Sequence, residues 1–162
     1  MDTAIPKKEL QEMLDGIVRE VTERTAKVTL VSGGEPRGDR LCTVYITFNK
    51  GFHSSLTLCS DVALLIRMAR NALELEEPTA QELEDFCKEY FNIICGKIAA
   101  VLFRNTRVPA RFSVPKFYKG RYAPEDHQAQ FVLTYADEHR NGIQLTHHVP
   151  LAREEDALSS YN

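Results

Sequence analysis

The sequence predicts an α+β fold, a mainly antiparallel sheet of about six strands with two to three helices covering one face. Three observations carry that prediction. Strand-like segments come in pairs joined by short glycine-containing turns; other segments repeat apolar residues at helical spacing; and the element order is helix, three strands, helix, helix, three strands.

The elements follow in order. From Lys7 to about Arg24, Leu10, Leu14, Ile17, Val18 and Val21 mark one apolar stripe of a helix. Ala26 to Val31 alternates weakly and is read as a strand, closed by Ser32-Gly33-Gly34, with Glu35 to Arg40 as a polar loop. Leu41 to Phe48 is rich in β-branched and aromatic residues, and after Asn49-Lys50-Gly51 the segment Phe52 to Cys59 completes a hairpin. Ser60-Asp61 is read as the cap of a helix carrying Val62, Leu65, Ile66, Ala69 and Leu73. Glu74 to Pro78 is a linker.

Thr79 with Glu82 three residues on is a capping box, which starts the longest helix and carries it to about Arg104-Asn105. Val108 to Val114 opens a third strand region, interrupted by Pro109 and Pro115, and Gly120 to Gln128 is a loop. Ala129 to Tyr135 and Ile143 to Pro150 form a second hairpin with Asn141-Gly142 at its turn. The 162 residues are read as one domain over 1–152, with a frayed charged and polar tail over 153–162.

Composition narrows the function. A net charge of -3 and a pI near 6.0 argue against nucleic acid as the main partner. Arg104, Arg107, Arg111, Lys116, Lys119 and Arg121 cluster around Phe117, Tyr118 and Tyr122, and are read as a solvated face. No apolar run reaches the roughly 18 residues a membrane span needs, and the N-terminus lacks a signal-peptide core, so a cytoplasmic protein is expected. Cys42, Cys59, Cys87 and Cys95 show no metal spacing and are read as reduced core thiols.

The usual chemistries are missing. There is no Gly-x-Ser-x-Gly elbow and no phosphate-cradling glycine loop. His127, His139, His147 and His148 are read as surface histidines, the last two facing opposite sides of a strand and so unable to share a metal. What stands out lies on the long helix. Leu83, Phe86, Cys87, Tyr90, Ile94, Ile98 and Val101 fall on one side; Asp85, Glu89, Asn92 and Gly96 fall on the other. A glycine within a helix costs about 1 kcal/mol relative to alanine. Close approach of a partner backbone is one reason to keep it.

The stretch from Asp85 to Ala99, with Glu89-Tyr90-Phe91-Asn92 followed by Ile93-Ile94-Cys95-Gly96, closely resembles the Glu-x-x-Asn helix of the CheC/CheX/FliY phosphatases of bacterial chemotaxis. Val114-Pro115-Lys116-Phe117-Tyr118-Lys119-Gly120 resembles the proline-containing strand that follows that helix in the single-site CheX members. Two departures stand: Lys97-Ile98 replaces the family's usual Asn-Ala after the glycine, and Asn71 has no Glu three residues before it, so a single site is expected.

The resemblance implies a phosphatase that hydrolyses the aspartyl phosphate of a CheY-like response regulator. Asn92 would orient the attacking water, Glu89 would pair with the partner's active-site lysine, and Asp85 and Gly96 would lie in the contact. The chain would carry no cofactor or metal of its own, the Mg2+ belonging to the receiver. It also implies a homodimer formed through the sheet, with Leu41 to Phe48 and Ala129 to Tyr135 as candidate edges. The alternatives are a non-enzymatic CheC-like interaction or flagellar-switch-type module, or a domain that only dimerises.

Overall fold

Alternation along Leu41–Lys50 sends Cys42, Val44, Ile46 and Phe48 into the core and Thr43, Tyr45 and Thr47 to the opposite face, the pattern of a sheet covered by helices on one side. In the computed structural model, which describes residues 5–151, the elements are α1 (Lys7–Ala26), β1 (Val31–Ser32), β2 (Leu41–Lys50), β3 (Ser54–Asp61), α2 (Val62–Leu73), α3 (Ala80–Thr106), β4 (Arg111–Phe112), β5 (Lys116–Lys119), β6 (His127–Ala136) and β7 (Gly142–Pro150). The tail expected over 153–162 lies outside the described residues. All pairings are antiparallel, in the order β1-β6-β7-β3-β2-β4, and β5 also lies against β2. β4 and β5 thus form one broken strand along the outer edge of β2. The α+β class is as expected. Among the described residues the sheet has seven strands, two of them only two residues long.

The helices pack on one another and on one face of the sheet, α1 reaching β6 and α3 reaching β2 and β5. One core joins them, from Leu14 and Val18 of α1 through Leu65 and Met68 of α2 to Ile94 and Ile98 of α3 and Ile46, Leu56 and Leu145 of the sheet.

Several local expectations are corrected. Helix α1 runs to Ala26 and ends on Lys27 in the left-handed conformation, so the strand expected from Ala26 to Val31 shrinks to Val31–Ser32. Val28 and Leu30 are buried beyond the helix end without joining the sheet. The third strand region yields only Arg111–Phe112 before Pro115, and β6 begins at His127, inside the expected loop.

Asp61 does not cap α2. Its carboxylate accepts instead from the N–H groups of Arg37 (3.1 Å), Gly38 (2.6 Å) and Gly142 (2.6 Å), latching the 33–40 loop onto the start of β7. Gly142 is not the left-handed residue of the β6–β7 turn; Arg140 is, with φ 64°. The glycine is required by packing, because a Cβ there would lie 2.2 Å from the carbonyl of Glu35.

Of the two edges expected to be exposed, β2 is interior, paired on both sides. Among the described residues β6 is open along most of its length, since β1 pairs with Tyr135 and Ala136 and the Gly33 N–H just beyond it reaches the carbonyl of Thr134.

The face away from the helices is closed by its own side chains. Tyr45, Thr47 and Ser55 hydrogen-bond one another, His148 Nε2 meets Thr57 Oγ1 at 2.8 Å, and Tyr118 and Tyr122 stack at 4.0 Å. The basic residues around that aromatic pair are exposed. All four cysteines are buried and free.

His147 and His148 are not surface histidines, being 2% and 4% exposed. They do face opposite sides of β7: His147 lies between the rings of Phe52 and Phe131 with Nε2 2.7 Å from Ser54 Oγ, on the helix side. Burial, with a smaller contribution from a neighbouring histidine, lowers both from the ordinary 6.5 to about 4. Between those values the unfolded chain binds more protons than the folded one, so stability falls as pH drops from 6.5 toward 4. Urea unfolding followed across that range is expected to show this loss, with a shallower slope for His148→Gln.

Candidate functional site

α3 is fixed at its start by the capping box: Glu82 N–H donates to Thr79 Oγ1 (3.1 Å) and Thr79 N–H to Glu82 Oε1 (2.9 Å). It ends on Arg107 in the left-handed conformation, two residues past the expected asparagine. Its buried side is wider than one stripe. Phe86, Cys87, Tyr90, Ile94 and Ile98 of the expected stripe are joined by Phe91, Cys95 and Leu102, because the helix packs on the sheet and on α1 and α2 together.

Rotation about its axis is set by Tyr90. The phenol is buried, stacks on Phe86 at 5.9 Å and hydrogen-bonds Thr22 of α1. Desolvation pushes its pKa above the ordinary tyrosine value, which favours the protonated hydroxyl.

With that rotation, Asp85, Glu89, Asn92 and Gly96 are all exposed, as the helical spacing required. Glu89 and Asn92 are one turn apart, about 5–6 Å between Cβ atoms. Neither side chain makes a hydrogen bond or ion pair with the described residues. Their neighbours on the helix are engaged: Lys88 pairs with Glu84 at 3.0 Å, and Asp85 accepts from Gln81 Nε2 at 2.9 Å.

The far wall is supplied by the joint between β4 and β5. Asp85, Lys88, Glu89 and Asn92 face Phe112, Ser113, Val114 and Pro115 across a shallow groove of about 380 Å³. The sequence offered no reason to place Phe112 or Ser113 there, since their approach to α3 depends on both strands pairing with β2.

The profile of the chemotaxis phosphatase CheX family matches residues 42–136, from β2 to the end of β6 and including all of α3. The chain belongs to the CheX family. CheX from Vibrio vulnificus is similar in structure, with a TM-score of 0.66 at 17% identity over 89% of this chain and 99% of that one. A CheX–CheY complex with beryllofluoride and Mg2+ from Borrelia burgdorferi gives 0.62 at 12% identity, covering 86% and 96%. FliY from Thermotoga maritima gives 0.58 at 11%, covering 98% and 96%. At such identities these likenesses show the fold. No curated protein sequence matches the chain.

Other CheX-fold positions that could carry chemistry are occupied structurally. Asn71, which has no Glu three residues before it, donates to the carbonyl of Ala26 (2.8 Å) and ties α2 to the end of α1. Arg67 pairs with the buried Asp137 at 3.0 Å and with Glu138, holding the β6–β7 turn.

One constellation escaped the sequence reading: Ser55 Oγ lies 3.3 Å from His127 Nε2, and His127 Nδ1 lies 2.7 Å from Asp126 Oδ1. Ser55 is 0% exposed and shares its hydroxyl with Tyr45 and Thr47, so no carbonyl can reach it and the arrangement supports no acyl transfer. Among the described residues no group of three or more His, Cys, Asp or Glu side chains is placed to hold a metal ion.

A Cβ built on Gly96 meets nothing within 4 Å, so no contact among the described residues requires the glycine. Gly96→Ala is therefore expected to raise the urea-unfolding free energy by up to about 1 kcal/mol.

Proposed function

We propose that this CheX-family chain hydrolyses the aspartyl phosphate of a CheY-like response regulator by docking α3 into the receiver's active site. One observation carries the reading: Glu89 and Asn92 stand on a rigid, capped helix, exposed and without partners among the described residues, beside a groove. Family membership supplies the reaction class.

The reaction needs little from the phosphatase. Water attacks phosphorus in line, the bond from phosphorus to the aspartyl oxygen breaks, and its electron pair stays on the receiver's carboxylate. The water's proton leaves with inorganic phosphate. Asn92 is neither a base nor a nucleophile at neutral pH; its amide can donate to one group and accept from another, which fixes the water's position and orientation. Glu89 pairs with the receiver's active-site lysine and sets the register of docking. Asp85 and Gly96 lie along the same face, and the open space above Gly96 admits the receiver's backbone. The Mg2+ that balances charge on the phosphoryl oxygens is the receiver's own.

We also propose a homodimer through the open edge of β6, whose residues Gln128, Ala129, Gln130 and Val132 are exposed. Light scattering is expected to give twice the 18.4 kDa monomer mass; a monomer at all concentrations would remove the dimer.

Loss of label from a radiolabelled phospho-receiver tests the chemistry. Asn92→Ala is expected to bind the receiver about as tightly as the parent yet lower stimulated dephosphorylation by roughly 100-fold or more. Glu89→Ala should weaken binding and rate together and flatten their salt dependence. A fully active Asn92→Ala variant overturns the assignment, and a parent chain that binds without hastening loss of label points to an interaction module.

A further inference from the structure

Val114 is 80% exposed, the most exposed large apolar side chain among the described residues, and it stands on the wall facing Glu89 and Asn92. Exposure of this kind is common on mobile loops. Here the backbone is held on both sides. Ser113 N–H donates to the carbonyl of Thr47 (2.8 Å), Ser113 Oγ accepts from Thr47 N–H (3.0 Å), and Pro115 is buried. The proline following Val114 also confines it to extended conformations, and a β-branched side chain has few rotamers to lose. Contact with a partner therefore costs Val114 little ordering entropy, the condition under which a small apolar contact adds most to affinity.

From this geometry we infer that Val114 is a specificity-determining contact: it packs on an apolar surface of the receiver beside the phosphorylated aspartate and discriminates against receivers with a charged residue there. The inference rests on the docking reading given above. The occupant follows from continuity. Glu89 and Asn92 act only if they come within hydrogen-bond reach of the receiver's active site, and Val114 lies across a groove of about 380 Å³ from both. A receiver seated on α3 is thereby brought against the β4–β5 joint. Since the valine side chain has no polar atom with which to hold or orient the reacting water, it acts on binding and leaves the chemical step alone.

The test is titration of a CheY-type receiver activated with beryllofluoride, together with the KM and kcat of dephosphorylation. Val114→Asp is expected to raise Kd and KM roughly tenfold, and the isosteric Val114→Thr roughly threefold, with kcat within about twofold of the parent. Both substitutions are at an exposed position, so melting temperatures should match the parent. Val31→Asp is the control, at a 56% exposed valine on β1, the opposite edge of the sheet, and should change nothing. Parent-like Kd and KM for Val114→Asp overturn the inference, as does equal weakening by Val31→Asp. Failure of the docking reading looks different: there the parent itself does not accelerate phosphate loss, whereas failure of this inference leaves an active parent and a silent Val114.

Discussion

The rotational setting of α3 is the constraint on which the candidate site depends. Tyr90, Phe91 and Ile94 are fully buried, and Tyr90 is tied to Thr22 of α1. Turning the helix by one residue, about 100°, would strand that phenol away from its partner and drive Glu89 or Asn92 into the core. Burying an unpaired carboxylate or amide costs several kcal/mol. The side chains that point outward are therefore chosen by those that point inward, and the capping box at Thr79 fixes where the count begins.

The sheet contributes by being irregular at one edge. A continuous strand beside β2 would present a smooth ladder; the break at Ser113–Pro115 instead lifts a short wall next to α3 while Ser113 keeps its hydrogen bonds to Thr47. At the other end, Asp61 gathers three backbone donors and closes the long 33–40 loop over β7. Helix and wall together form a rigid surface bearing two polar side chains uncommitted among the described residues.

Much of this was legible in the residues. Helical spacing and the Thr79–Glu82 pair located α3 and its outward face, and β-branched and aromatic residues together with the turns at Asn49-Lys50-Gly51 and Asn141-Gly142 located β2, β3, β6 and β7. The misreadings share a cause, since each depended on a distant segment. Asp61 has the chemistry of a helix cap and is taken by backbone donors from the 33–40 loop and Gly142. Gly142 looked like a turn glycine and is demanded by Glu35. His147 and His148 are polar residues on a central strand, and only their neighbours Phe52, Phe131 and Thr57 reveal that they are buried. Val28 and Leu30 are apolar enough for a strand but lack a pairing partner. The groove was invisible for the same reason: Val114 and Asn92 are separated by β4 and a helix end, and only pairing to β2 brings them together.

The most direct measurement of the central claim is the decay of radiolabelled phosphate on a CheY-type receiver, with the purified chain present at well below one molecule per receiver. The initial rate is expected to rise in proportion to added chain, each molecule clearing many receivers. Decay unchanged from the spontaneous rate, even with the chain in molar excess and bound to the receiver, would contradict it.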